Sequence, residues 1–212
     1  MKKKFVSIVL AAGVIATPVV TTTAVYASQN NKNSTYEINI NSTKIKKATI
    51  SGISFSYKNA PASVKSAYLK DARTLGVQVT NNSNIFIPDF DVSKYNLSKD
   101  DLQKSAVESW TIEDYGSYFI STQIYTGRQY TVSKSTLVGY NHVTSGNPVH
   151  LTQLFLNIFA YKYPGHNSVA VDSIFGPNTQ QAVLSFQQFA GLSNDATVGP
   201  NTWNAFSSYC LN

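Results

Sequence analysis

Apolar and polar residues alternate in several short stretches of the first two thirds of the chain, and three- and four-residue spacing prevails in the last third. Tyr36 to Ile40 alternate, and past a basic turn at Lys44, Lys46 and Lys47 so does Ala48 to Tyr57, with Ile50, Ile53 and Phe55, so both stretches are expected to be strands. Pro61 opens a helical stretch to about Leu75, with Val64, Ala67, Tyr68 and Ala72 on one face and Gly76 at its stop. A short strand, Val77 to Thr80, a polar loop over 81–84, a brief strand, Ile85 to Ile87, and an irregular segment from Pro88 to Asn96 follow. Ser98 can accept first-turn amides while Asp100 and Asp101 suit the positive end of a helix, which predicts a helix to about Trp110. Tyr115 to Tyr125 and Gln129 to Val132 flank Thr126, Gly127 and Arg128 as a hairpin. Residues 35–140 thus form one expected α+β domain, bounded by a linker at 141–147 that lacks apolar periodicity.

Beyond the linker the period is helical. Leu151, Leu154, Phe155, Ile158 and Phe159 form one stripe, Ala182, Val183, Phe186, Phe189 and Ala190 a second, and Trp203, Phe206 and Cys210 a third. Three helices of about three turns can close on one core, so residues 148–212 are expected to be a small all-α three-helix domain. Offsetting the chain by 23 residues aligns Asp172, Phe175, Gly176, Pro177, Asn178, Thr179, Ala182 and Val183 with Asp195, Val198, Gly199, Pro200, Asn201, Thr202, Ala205 and Phe206, six of the eight pairs being identical. In each copy Asp can accept loop amides, the apolar residue plugs the core, Gly permits a tight turn, and Pro takes the first helical position, where its missing N–H costs nothing.

With Gln187, Gly191 and Leu192, these motifs resemble the peptidoglycan-binding family 1 domain over about residues 147–210. Its pattern is an acidic residue before an apolar-Gly-x-x-Thr turn, an Ala-Val-x-x-Phe-Gln helix, Gly-Leu, and a closing Val-Gly-x-x-Thr-Trp. Ser173 stands where the family has Gly, Thr152 stands where it has Leu, and the loop from Tyr161 to Ala170 is longer. The resemblance implies a non-catalytic module that holds its protein on peptidoglycan. Most motif residues are expected to be architectural, and direct contact is expected from the polar and aromatic groups Asn178, Thr179, Gln187, Asn201, Thr202 and Trp203.

At the amino terminus Lys2, Lys3 and Lys4 precede an apolar run from Phe5 to Val20 and small residues to Ala27. This is the pattern of a secretory signal peptide over 1–27, with a polar leader at 28–34 expected to be disordered. The reading is of a secreted protein, extracellular or wall-associated, with no membrane contact after processing. Loss of the signal lowers the formal charge from +6 to +3, which disfavours nucleic acid as a partner. Residues 28–146 hold 13 Lys and Arg against 9 Asp and Glu, a mild bias that would favour an anionic surface. The single cysteine, Cys210, excludes an intramolecular disulfide.

Chemistry in the front domain meets an inventory limit. Its residues 35–140 contain neither His nor Cys, which argues against a zinc hydrolase or a cysteine or serine peptidase, and neither metal nor other cofactor is implied. Glycan cleavage needs only carboxylates, and Glu108, read near the end of the Ser98 helix, is the weak candidate for a general acid. Tyr115, Tyr118, Tyr125, Tyr130 and Tyr140 are read either as a sugar-stacking face or as half-buried strand aromatics. Nothing in residues 28–146 resembles a known family. The leading reading is a wall-binding protein with no catalytic role. The alternatives are a glycan-strand hydrolase and a toxin- or inhibitor-like domain with an unidentified protein partner.

Overall fold

The computed structural model describes residues 44–212; the expected signal peptide, leader and first strand, Tyr36 to Ile40, lie outside that range. Strand β1 (Lys46–Ser56) is followed by α1 (Ala62–Leu75), β2 (Asn84–Pro88), a 3-10 helix (Asp89–Tyr95), α2 (Lys99–Gln103), and strands β3 (Ala106–Asp114), β4 (Tyr118–Gln123) and β5 (Gln129–Ser133). Three longer helices follow: α3 (Asn147–Lys162), α4 (Pro177–Phe189) and α5 (Pro200–Cys210). The strands form one antiparallel sheet in the order β2-β1-β3-β4-β5. The α+β front and helical back are therefore both present.

Three stretches differ from expectation. The helix begun at Ser98 lasts only over α2: Ser98 and Asp101 form a reciprocal capping box, but the chain turns at Lys104 and enters β3. Trp110 and Ile112 recur there at the strand period and face the core, and β3 pairs with β1 from Lys46↔Asp114 to Ser54↔Ala106. That ladder and the buried aromatic outweigh the local cap signal. Val77 to Thr80 forms no strand, because the Val77 amide is spent on the Ala72 carbonyl in the C-cap around Gly76, whose φ is 64°. The segment read as irregular, Pro88 to Asn96, contains the 3-10 helix.

The two faces of the sheet are covered differently. Ile50, Trp110, Ile112, Phe119, Tyr130 and Val132 pack into one buried cluster with Leu151, Leu154, Phe155, Val183, Phe186, Trp203 and Phe206 of the three-helix part. Phe55, Ile85 and Ile87 point the other way and pack with Val64, Tyr68 and Ala72 of α1 and with Ile174. Gly52 lets β1 pass β2, since a Cβ there would collide with the Ile87 carbonyl.

Sheet and helices therefore share a core, and the backbone ties them as well. Phe86 and Val171 exchange two bonds of 2.9 Å, Val138 and Val198 bonds of 3.0 and 2.8 Å, and Lys47 and Asn212 bonds of 3.0 and 3.2 Å. Within 141–147, read as a linker, Val143 bridges Val138, Ser145 bridges Ile174, and the Gly146 amide donates to Ser173. The segment carries no helix or strand until α3 begins, yet its backbone is bound to both halves.

Candidate functional site

The repeat in the sequence is a repeated structural clamp. On α3, Gln153 Nε2 donates to Asp172 Oδ1 at 2.6 Å, to the Ile174 carbonyl at 3.0 Å and to Thr179 Oγ1 at 3.1 Å, while its Oε1 accepts the amides of Asp172 and Ser173. On α4, Gln187 Nε2 donates to Asp195 Oδ1 at 3.0 Å, to the Thr197 carbonyl at 3.0 Å and to Thr202 Oγ1 at 3.3 Å, while its Oε1 accepts the Ala196 amide. In both copies the Asp also accepts the amide two residues on, from Ile174 and from Thr197. Each glutamine thus pins the loop that feeds the next helix.

This clamp explains the departure at Ser173. Ser173 and its counterpart Ala196 both occupy left-handed backbone, at φ 64° and 59°. Glycine takes that conformation without a Cβ penalty, which accounts for Gly in the family pattern; here the glutamine clamp holds a Ser and an Ala in it.

Four of the six residues expected to contact ligand serve this framework. Thr179, Gln187, Thr202 and Trp203 are buried, the first three in the clamps, and Trp203 donates its Nε1–H to the Thr136 carbonyl at 2.8 Å. Asn178 and Asn201 are exposed at the start of α4 and α5. Each borders a cleft. The first, of about 310 Å³, is lined by Asp71, Tyr95, Asn167, Ser168, Asn178, Thr179 and Gln181 among others. The second, of about 220 Å³, is lined by Leu137, Gln187, Leu192, Asp195, Asn201 and Thr202 among others. The clefts sit at corresponding places in the two repeats, but the front part of the chain adds Asp71 and Tyr95 to the first and Leu137 to the second.

Electrostatics distinguish the first cleft. Burial pushes the Asp71 carboxyl up to about 6, partly offset by Lys70. Asp172 rises to about 7, chiefly through burial, with the hydrogen bonds from Gln153 and Ile174 opposing the shift and Asp71 adding to it. Tyr95 is pushed up to about 12 by burial and by the charges of Asp91 and Asp172, so its hydroxyl stays protonated. Sequence reading missed Asp71 and Tyr95, because both lie in the front part and no spacing rule connects them to the repeat.

Glu108 lies on β3, opposite Gly52, and not at a helix end; it accepts the Trp110 indole N–H at 3.1 Å and an Asn84 amide hydrogen at 3.0 Å. The geometry on which a general-acid role was read is therefore absent. Of the tyrosines, Tyr130 is buried and contacts His150 Nδ1 through its hydroxyl at 2.6 Å, Tyr140 is half-buried, and Tyr115, Tyr118 and Tyr125 are exposed, the first two stacked at 5.4 Å. Among the described residues no three His, Cys, Asp or Glu side chains converge as a metal site, and no helix is long and apolar enough to cross a membrane.

A curled sheet sharing its core with a helical repeat whose loops are clamped by glutamine is the class of molecule this chain forms. Residues 145–206 match the family model described as "Putative peptidoglycan binding domain", in agreement with the resemblance seen in the motifs. Residues 46–111, in which no family resemblance was read, match a second model described as "Putative peptidoglycan-binding domain". That match spans β1 to β3 and corrects the reading of the front part as unlike any known family. No curated protein matches the chain. Among solved structures the chain is similar to a peptidoglycan-binding protein from Clostridioides difficile in complex with glutamine hydroxamate, with 28% identity, 75% of this chain and 92% of that chain covered, and a TM-score of 0.63.

Proposed function

We propose that this chain is a secreted, cell-wall-associated protein that binds peptidoglycan through the clefts at the starts of α4 and α5 and performs no catalysis. The observation that carries this reading is that both parts of the chain match peptidoglycan-binding family models, with a solved peptidoglycan-binding protein similar across most of its length. Secretion rests on the lysines and apolar run of residues 2–20, and the absence of catalysis on the inventory of residues 35–140 and the placement of Glu108 in a strand.

The clefts suit such a ligand. Their rims hold amide side chains, Asn178 and Gln181 in one and Asn201 in the other, which can both donate to and accept from glycan hydroxyls and peptide groups. The C. difficile protein was crystallised with an amino-acid derivative, which favours the peptide over the glycan as the part recognised here. Asn178 and Asn201 are the contact residues in this reading, while Thr179, Gln187, Thr202 and Trp203 hold the loops that present them. Co-sedimentation with purified insoluble peptidoglycan tests it. The protein is expected in the pellet with no soluble fragments released, and an Asn178→Ala, Asn201→Ala double variant is expected to shift toward the supernatant. A protein that stays in solution, or that releases fragments, contradicts the reading.

A further inference from the structure

Asp71 is 4% exposed, and its Oδ1 has no hydrogen-bond partner among the described residues. A buried carboxylate oxygen without a donor is costly, and such groups in native proteins call for an explanation. The clamps do not supply one. In the second repeat the corresponding place is taken by Leu137, whose Cδ2 lies 3.1 Å from where a Cβ on Gly199 would be; in the first, Asp71 packs against Gly176 so closely that a Cβ would collide with its carboxyl. The architecture of the repeat therefore accepts an apolar side chain at this place. An acid stands there in one copy only, lining the larger cleft.

The surroundings define what the acid is matched to. Asp172 is a second buried carboxyl close enough for its charge and that of Asp71 to act on one another, while Lys94, which reaches the cleft-lining Ser168, is paired with Asp91. The side-chain amides of Asn178 and Gln181 contribute further oxygen acceptors to the lining. A neutral sugar hydroxyl brings one donor and no charge, whereas an ammonium brings three donors and a positive charge.

We propose that the cleft bounded by Asp71, Ser168, Asn178 and Gln181 is a subsite for a primary ammonium group, the free side-chain amine of the diamino acid in an uncrosslinked peptidoglycan stem peptide, with Asp71 as its counter-ion. The identity of the ligand rests on the wall-binding reading above; the preference for an amine rests on the cleft alone. The site would then distinguish uncrosslinked stems from crosslinked ones, in which that amine has become an amide.

The charged and titratable groups around Asp71 are Tyr68 and Lys70 on α1, Asp91, Lys94 and Tyr95 on the 3-10 helix, Asp172 before α4, and Tyr140. Tyr68, Tyr95 and Tyr140 are all shifted upward and remain neutral, so Asp71 and Asp172 govern the charge between pH 5 and 8.

The test is a titration of the full chain, 15N-labelled, with the tripeptide L-Ala-γ-D-Glu-L-Lys acetylated at its N-terminus and amidated at its C-terminus, and with the same peptide also acetylated on the lysine Nε. The free-amine peptide is expected to bind about tenfold or more tightly than the acetylated one at pH 7.5, with amide shifts at Ser168 and Asn178. Asp71→Asn, which keeps the side-chain shape, is expected to remove the preference without lowering the melting temperature, and lowering the pH to 5 is expected to weaken the preference in the unaltered protein. Equal affinity for the two peptides, or a preference that survives in Asp71→Asn, overturns the proposal. Sedimentation on whole peptidoglycan separates this from the parent reading: a protein that pellets yet ignores the lysine amine refutes the subsite alone, and one that prefers the amine yet does not pellet refutes wall binding alone.

Discussion

Gln153 and Gln187 do for this chain what a disulfide or metal does in other small loop-rich modules, each satisfying several loop groups from one side chain. Removing Gln153 strands the Asp172 and Ser173 amides and leaves the Asp172 carboxyl only its bond from the Ile174 amide. Gln153→Ala is therefore expected to lower the unfolding free energy by about 3 kcal/mol in urea titration, while Asn178→Ala, at an exposed position, stays within about 0.5 kcal/mol. The buried carboxyls add a pH signature. Asp71 and Asp172 titrate near 6 and 7 in the folded protein against an ordinary 3.8, so the native state holds protons that the unfolded chain releases. Their contribution is complete below about pH 3.8 and is lost as pH rises through 6 to 7. Asp71→Asn should then raise the melting temperature at pH 8, by the equivalent of about 1–3 kcal/mol, and leave it unchanged at pH 4. His150 acts in the opposite sense: burial lowers it to about 3 from 6.5, so its contribution is present above 6.5 and lost as pH falls toward 3. At this scale the motif residues were legible in the sequence but their orientation was not, since Thr179, Gln187 and Thr202 can as well face a ligand as a backbone amide until the loop geometry is known.

Among the elements, the hairpin, α1 with its Gly76 cap, and the three C-terminal helices follow directly from turn chemistry and apolar spacing. The stretch after Ser98 does not, because a capping box is a local signal while the pairing of β3 with β1 joins residues some 60 positions apart. With Glu108 in that strand, neither the unaltered protein nor Glu108→Gln is expected to clear a suspension of bacterial cell walls; clearing by the first and not the second would reinstate a glycan-cleaving role. A further long-range link joins β3 and the end of the hairpin to α5. Lys134 Nζ donates to Asp114 at 2.8 Å and to Asn204 at 3.3 Å, and the Ser207 hydroxyl donates to Asp114. Burial disfavours the Asp114 carboxylate, but those donors and the Gly116 amide outweigh it and hold its pKa below the ordinary value. Lys134→Ala leaves that carboxylate under-paired, and is expected to cost about 2–3 kcal/mol and to speed hydrogen exchange in α5 ahead of α4.

For the molecule as a whole, the composition break near residue 141 marks a change from sheet to helix, but the shared core of Phe119, Phe155, Trp203 and Phe206 crosses it. Sequence periodicity reports which face of an element is apolar without saying which other face will cover it, and so this union was not visible beforehand. Residues 145–212 alone would expose the face that meets the sheet, and are expected to melt broadly and bind an apolar dye where residues 28–212 give one sharp transition. Point variants at the cleft rims are for that reason a cleaner probe of binding than truncations. The most direct measurement is co-sedimentation of residues 28–212 with purified insoluble peptidoglycan, beside the Asn178→Ala, Asn201→Ala double variant of unchanged stability. Pelleting of the first with a clear loss in the second is the predicted result. An unaltered protein left in the supernatant would contradict wall binding itself, and equal pelleting of the two would remove the clefts from it.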